Sequence, residues 1–146
     1  MLPDLPASLQ LLPAALAKAM DGCNVVQLRR GARRAALMAI AKSGLSDPRV
    51  DAALAALASG RTGDGRARDS LLRLLEELDN AAWAARERVE AGDAPEGEYQ
   101  RVFRLARSAN ALWASLDADP MVAAADAAYE AHAVIEAWEP LIDLWS

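Results

Sequence analysis

The sequence predicts an all-α fold, a single compact bundle of about six mostly antiparallel helices. Ala, Leu, Arg and Glu dominate the 146 residues, and the alternation of apolar and polar residues that marks strands is absent. Asp-Pro pairs and glycines lie where helices would begin and end. A chain of this length can bury roughly 68–70% of its unfolded surface as one domain. We therefore expect residues 1–146 to form one helical domain.

The first three helices are predicted from their end signals. Asp47 supplies an N-cap acceptor, and Pro48 stands at the first helical position, where its missing N–H costs nothing. Gly44 and Gly60 lie where C-terminal caps belong. The predicted spans are 7–20, 24–43 and 48–59.

The last three helices show the same signals, and two of them carry regular apolar seams. Asp119-Pro120 repeats the N-cap pair, and Gly92 to Ala94 forms a connection short enough to make the flanking helices antiparallel neighbours. The fourth-helix seam has 4-3-4-3-4 spacing and comprises Leu71, Leu75, Leu78, Ala82, Ala85 and Val89. The fifth-helix seam comprises Tyr99, Val102, Ala106, Ala109, Trp113 and Leu116. The predicted spans are 66–91, 95–116 and 120–138, followed by a turn from Pro140.

The segment 60–65 holds three glycines in six residues, and we expect it to be a flexible loop. It divides the six helices into an N-terminal and a C-terminal group. Two three-helix sub-bundles are therefore an alternative to one continuous bundle.

Charge is segregated along the chain, although its net value is −5. Residues 1–75 hold 11 Lys and Arg against 6 Asp and Glu, whereas residues 76–146 hold 5 against 15. Such a distribution favours binding of a partner of opposite charge. It also permits pairing between the two halves, or head-to-tail and antiparallel dimers.

The predicted second helix carries the most concentrated positive charge. Val25, Leu28, Ala32, Ala35 and Ala39 fall on one side of a helical wheel, which predicts the buried face. The opposite sector, here called the arginine face, comprises Val26, Arg29, Arg30, Arg33, Arg34 and Leu37. Guanidinium groups among apolar side chains can bind carboxylate or phosphate in a fork geometry. An acidic protein, a nucleic-acid backbone and the chain's own acidic half are the three alternatives for its partner.

Three of the four tryptophans, Trp83, Trp138 and Trp145, are the second set of candidate interface residues, because Trp and Arg dominate interface energetics. Trp113 fits the fifth-helix seam, whereas Trp83 lies off the fourth-helix seam. Trp138 and Trp145 flank Pro140 in a segment too apolar for a free tail. That segment either folds back to cap the bundle or forms an interface.

No motif in the sequence indicates catalysis, a metal or a cofactor. His132 is the only histidine, and although Glu136 lies one turn away, a core or interface role is the simpler interpretation. A zinc site has too few ligands, and no phosphate-binding loop, dinucleotide fingerprint or nucleophile elbow is present. Asn110, near the fifth-helix seam, is expected to satisfy its amide within the bundle. We therefore expect no enzyme activity.

The compartment is inferred from cysteine usage and hydropathy. Cys23 is the only cysteine, which excludes an internal disulfide and favours a reducing compartment. No apolar stretch approaches the roughly 20 residues of a membrane span. Arg outnumbers Lys 14 to 2, which is typical of a high-GC bacterial genome. The resulting hypothesis is a non-enzymatic protein-binding module of a bacterial cytoplasm, of the immunity, antitoxin or adaptor type. The alternative is a nucleic-acid-associated regulator that uses the arginine face with Arg61, Arg66 and Arg68.

Overall fold

A computed structural model describes residues 7–146, of which 77% are helical and none lies in a strand. The all-α prediction is confirmed. A 3-10 helix, Ala7–Leu11, precedes the α-helices. These are α1 (Ala14–Asp21), α2 (Val25–Ser43), α3 (Pro48–Ala58), α4 (Arg66–Glu90), α5 (Glu96–Ser115), α6 (Pro120–Ile135) and α7 (Glu139–Ile142).

Side-chain caps begin three of these helices, and the sequence predicts two of them, at Asp47 and Asp119. Asp47 accepts a hydrogen bond from the Arg49 backbone N–H at 2.8 Å, and Asp119 does the same for Met121. Asn24 forms a reciprocal capping box with Gln27, with bonds of 2.8 and 2.9 Å. Each cap satisfies a backbone donor that has no partner within the helix.

The first predicted helix, 7–20, is in fact two elements, a 3-10 helix and α1. Pro13 separates them because it has no N–H to donate and disfavours helical backbone in the residue before it. The sixth predicted helix also ends early, at Ile135. Glu136 adopts a left-handed conformation with φ 62°, and its N–H closes the helix on the His132 carbonyl at 2.8 Å.

Helix α6 is one of the two central helices of the bundle, the other being α5. Helix α6 packs against α2 and α5 along its length, and α4 covers the other side of α5. Alanines supply most of the buried positions of α6, so neighbouring backbones approach closely. The buried residues of α6 are Ala123, Ala124, Ala125, Ala127, Ala128, Ala131 and Val134.

One main core runs through the described helices and does not separate into two sub-bundles. It extends from Leu12 to Trp145 and includes buried residues of α1 to α7. Helix α2, from the predicted N-terminal group, packs against α5 and α6 of the C-terminal group. A small second cluster around Ala85 and Val102 joins the far ends of α4 and α5. The Gly-rich loop is tied to this core, because the Gly63 N–H donates to the Leu116 carbonyl at 2.6 Å.

No helix in residues 7–146 combines the length and the apolar character that a membrane crossing requires.

Candidate functional site: the arginine face of helix α2

Helix α2 turns its alanines inward and its arginines outward. Ala32, Ala35 and Ala39 are fully buried, as the helical wheel predicts. Val25, the first residue of α2, departs from that prediction and is 58% exposed. Val26 beside it is 63% exposed. Leu37, near the other end of the arginine face, is half-buried.

Arg29 differs from the other three arginines because its guanidinium caps the C-terminus of α5. Its Nη2 donates to the Ala118 carbonyl at 2.7 Å, and its Nη1 donates to the carbonyls of Ser115 and Asp117. These carbonyls lie at the negative end of the α5 dipole, where a cation is stabilising. Burial lowers the pKa of Arg29, although Asp117 and Asp119 partly oppose this. Arg29 is thus a structural anchor.

Arg30, Arg33 and Arg34 are exposed, and none forms an ion pair or a hydrogen bond with another residue of the described chain. Some other surface cations have partners in the same structure, whereas Arg61, Arg66, Arg73 and Arg101 are exposed and, like these three, have no side-chain partner among the described residues. Arg49 bonds Glu77 at 2.8 Å, and Arg107 bonds Glu130 at 2.9 Å. The acidic C-terminal half therefore pairs with its own helices and with α3 rather than with these three arginines.

A cleft of about 330 Å³ lies between the arginine face and the end of α3. Arg29, Arg30 and Arg33 form one wall, and Leu57, Gly60 and Thr62 form the other. Here the structure brings cationic and apolar groups together in a concave surface, which is the arrangement that a carboxylate-bearing side chain can enter.

The candidate tryptophans lie in three different environments. Trp83 is 64% exposed and borders a shallow groove with Tyr99 and Phe103, while the Arg86 guanidinium lies 5.7 Å from its ring. Trp138 is half-buried and stacks on His132 with ring centroids 3.7 Å apart. Trp145 is 4% exposed, and its indole N–H donates to the Leu28 carbonyl at 3.3 Å. The C-terminal segment therefore folds back onto α2, and Trp83 is the one of these three with an open ring surface.

His132 is held against Trp138, with the two rings nearly parallel. Burial lowers the pKa of its imidazole, and the Glu136 carboxylate partly opposes that shift. Glu136 itself pairs with Arg104 at 3.8 Å. Asn110 bonds the Ala106 carbonyl of its own helix at 2.8 Å, so it makes no link between helices. Within residues 7–146 no three His, Cys, Asp or Glu side chains are placed to hold a metal ion.

The charge pattern of the sequence did not indicate two contacts near the arginine face, one made by Arg68 and one by Gly31. Arg68 lies under the Gly-rich loop, with its guanidinium 3.9 Å from the centre of the Trp113 ring. Gly31, in the middle of α2, makes room for Trp145. A glycine in a helix interior lowers stability, so its presence in the middle of α2 is a sequence signal for a close contact at that position.

Comparison of the chain with protein-family models, with curated protein sequences and with solved structures finds no significant match.

Proposed function

We propose that this protein is a non-enzymatic protein-binding module and that the arginine face of α2 docks an acidic partner protein. The observation that carries the proposal is the exposure of Arg30, Arg33 and Arg34 together with their lack of partners among the described residues. All three are exposed and have no ion pair among the described residues, although the chain has an excess of acidic groups.

The chemistry of the face suits a protein partner. The three guanidiniums steer an acidic surface and bind its carboxylates in pairs of hydrogen bonds. Val25 and Val26, both more than half exposed, add apolar area beside them. Arg29, anchored on α5, fixes the position of the helix beneath the other three. Docking would then release water from the valines while the charges set orientation.

The biological class follows from the same proposal. A small acidic helical protein that acts by covering a partner's surface matches an immunity protein, an antitoxin or an adaptor, and we place it in a bacterial cytoplasm. This assignment rests on composition and on the binding proposal, without a residue that distinguishes the three classes.

Affinity capture from the source cell, with quantitative mass spectrometry, tests the proposal. The bait is the wild-type chain, the triple variant R30E/R33E/R34E, or a control, R73E/R101E. The control reverses two other exposed arginines, on α4 and α5. We expect an acidic protein to be captured by the wild type and by the control and lost with the triple variant. A set of captured proteins that is the same for all three baits would overturn the proposal.

A nucleic-acid-associated regulator is the second candidate, because two further exposed arginines lie close to the arginine face: Arg61 within the Gly-rich loop that borders its cleft, and Arg66 directly after that loop. This candidate predicts DNA or RNA binding that weakens steeply with salt and is lost in the triple variant. Titration of labelled double-stranded DNA and single-stranded RNA at low salt decides it. No retention of either at low salt would eliminate this candidate without affecting the first.

A further inference from the structure

We propose that the face of the bundle formed by α4, α5 and α6 docks a basic amphipathic helix of a partner protein. The partner helix would lie along α5, with apolar side chains in two hollows and with lysines or arginines beside two carboxylates. The two hollows together are called the α5 groove, and they share no lining residue with the cleft of the arginine face. Binding at the α5 groove therefore goes beyond the proposed function and does not depend on it.

The exposed apolar side chains of the described chain are concentrated on two faces. Five large ones are exposed, and two of these, Val25 and Val26, stand at the start of α2. The other three, Leu11, Trp83 and Tyr129, border the α5 groove. Exposed aromatic side chains on one face are typical of a protein-binding surface, because each buries a large apolar area when a partner covers it.

The two hollows lie end to end along one face of α5. The first has a volume of about 210 Å³ and lies between α4 and α5, with Trp83 and Phe103 in its lining. The second has a volume of about 270 Å³ and lies between α5, α6 and the 3-10 helix, with Trp113 and Tyr129 in its lining. Each hollow therefore offers aromatic surface to an apolar side chain of a partner.

The ion pair of Arg107 with Glu130 lies where the two hollows meet. Arg107 lines the first hollow and Glu130 lines the second, and their N–O distance is 2.9 Å. The lining residues of α5 run from Tyr99 to Ala114, which is about 22 Å of helix, and the hollows are centred roughly 13 Å apart. A partner helix along α5 would reach both hollows with apolar residues seven or eight positions apart, which lie on one of its faces.

The charge of the groove favours a basic partner. Asp79 lines the first hollow and Asp126 lines the second, and neither has an ion pair among the described residues. Asp126 accepts a hydrogen bond from the neutral Ser8 hydroxyl. Both arginines of the lining already pair with glutamates, at 3.0 and 2.9 Å. The two aspartates therefore remain for lysines or arginines of a partner.

The protonation of Glu130 reflects the same excess of negative charge. Burial raises the pKa of its carboxyl, and the nearby Asp126 and Asp79 raise it further, although the Arg107 guanidinium lowers it. Three carboxylates thus surround a single guanidinium at the junction of the hollows. A cation from a partner would reduce their mutual repulsion.

Selection from a displayed library of helical peptides tests the proposal. The peptides have about 16 residues, which matches the length of the groove, and the bait is the full chain with the arginine face neutralised, R30Q/R33Q/R34Q. We expect enrichment of amphipathic peptides that carry Lys or Arg and two apolar residues seven or eight positions apart. In chemical-shift mapping, an enriched peptide should shift the indole signals of Trp83 and Trp113 in the wild-type chain.

Two variants separate the apolar and the charged contributions to binding of the enriched peptide. Trp83→Ser removes an exposed ring, and we expect binding to weaken at least about tenfold. Asp126→Asn keeps an acceptor for Ser8 but removes the charge, and it should weaken binding about three- to tenfold and reduce its dependence on salt. Asp51→Asn is the matched control, exposed on α3 outside both hollows, and should bind within about twofold of wild type.

The proposal is overturned if no peptide is enriched, if the enriched peptides are acidic, or if either Trp83→Ser or Asp126→Asn binds as tightly as Asp51→Asn. If Trp83→Ser fails to fold, Tyr129→Ser removes an exposed ring from the second hollow instead, and undiminished binding there has the same meaning. Light scattering tests a second copy of the chain as the occupant. Self-association of the wild type that Trp83→Ser abolishes would also overturn the proposal, whereas a monomeric wild type supports it.

Discussion

Gly31 illustrates how a single residue is explained by a contact far away in sequence. A Cβ built at position 31 would lie 2.1–2.6 Å from three atoms of the Trp145 ring. The glycine therefore permits the C-terminal segment to close over α2. Periodicity cannot reveal this, because it describes one helix at a time, and the partner lies 114 positions further along the chain.

Gly31→Ala should lower the free energy of unfolding although alanine is the better helix former. Displacing Trp145 costs about 3–5 kcal/mol, and the gain in helix propensity is about 1 kcal/mol. We expect a net loss of about 2–4 kcal/mol in urea unfolding followed by circular dichroism. Gly97→Ala is the matched control, since Gly97 in α5 has open space around it, and it should stabilise the protein slightly.

A double-mutant cycle separates this contact from a general effect of the substitution. In a Trp145→Ala background, Gly31→Ala no longer meets the ring and should be neutral or stabilising. An equal loss in both backgrounds would refute the contact.

His132 should make stability depend on pH. Because burial lowers its pKa in the folded protein, the unfolded state takes up the proton first as the pH falls. The stabilisation is therefore complete above the ordinary histidine pKa of about 6.5 and is lost as the pH falls below it. His132→Phe keeps a ring against Trp138 without a titrating group.

Unfolding free energies of the wild type and His132→Phe, measured between about pH 5 and pH 8, check this. The wild type should lose more stability than the variant on the acidic side. Parallel profiles for the two proteins would exclude His132 as the source.

At the scale of single elements, end signals were reliable and helix lengths were less so. Asp47-Pro48 and Asp119-Pro120 begin helices where predicted, because an acceptor side chain and a fixed φ act locally. Pro13 interrupts the predicted helix 7–20, because a proline inside a helix removes a backbone donor. The end of α6 at Ile135 was missed because Glu136, without a glycine's freedom, takes the left-handed cap conformation.

Arg29 joins two elements, and its removal should be distinguishable from removal of its neighbours. Hydrogen bonds from a charged group are worth about 1.5–3 kcal/mol, and partial solvent exposure reduces that value. We expect Arg29→Met to lower the free energy of unfolding by about 1–2 kcal/mol. Arg33→Met, on the same face without a partner among the described residues, should change it by less than about 0.5 kcal/mol. Equal losses for the two variants would show that Arg29 is not an anchor.

At the scale of the whole molecule, composition determined the fold class but not the arrangement. Ala-rich faces predict close helix packing, yet they do not specify which helix is central, since many alanine faces are interchangeable in a sequence. The arginine face was visible on the helical wheel. Its division into one anchored and three exposed arginines was not, because that depends on where α5 ends relative to α2.

A cleft of about 750 Å³ beside the Gly-rich loop was also beyond sequence reasoning. The glycines of 60–65 indicated a loop, but the cleft requires α3, the start of α4 and Leu116 to meet. The buried state of Arg68 depends in turn on Trp113, which lies 45 positions away. The periodicity of apolar residues in the sequence does not indicate tertiary contacts of this kind.

The central claim is that the exposed arginines of α2 bind an acidic protein. Calorimetric titration of the purified captured partner with wild-type protein, R30E/R33E/R34E and R73E/R101E tests it most directly. We expect the triple variant to bind at least about tenfold more weakly, the control to bind within about twofold of wild type, and the wild-type affinity to fall with added salt. Equal affinities of wild type and triple variant would contradict the claim.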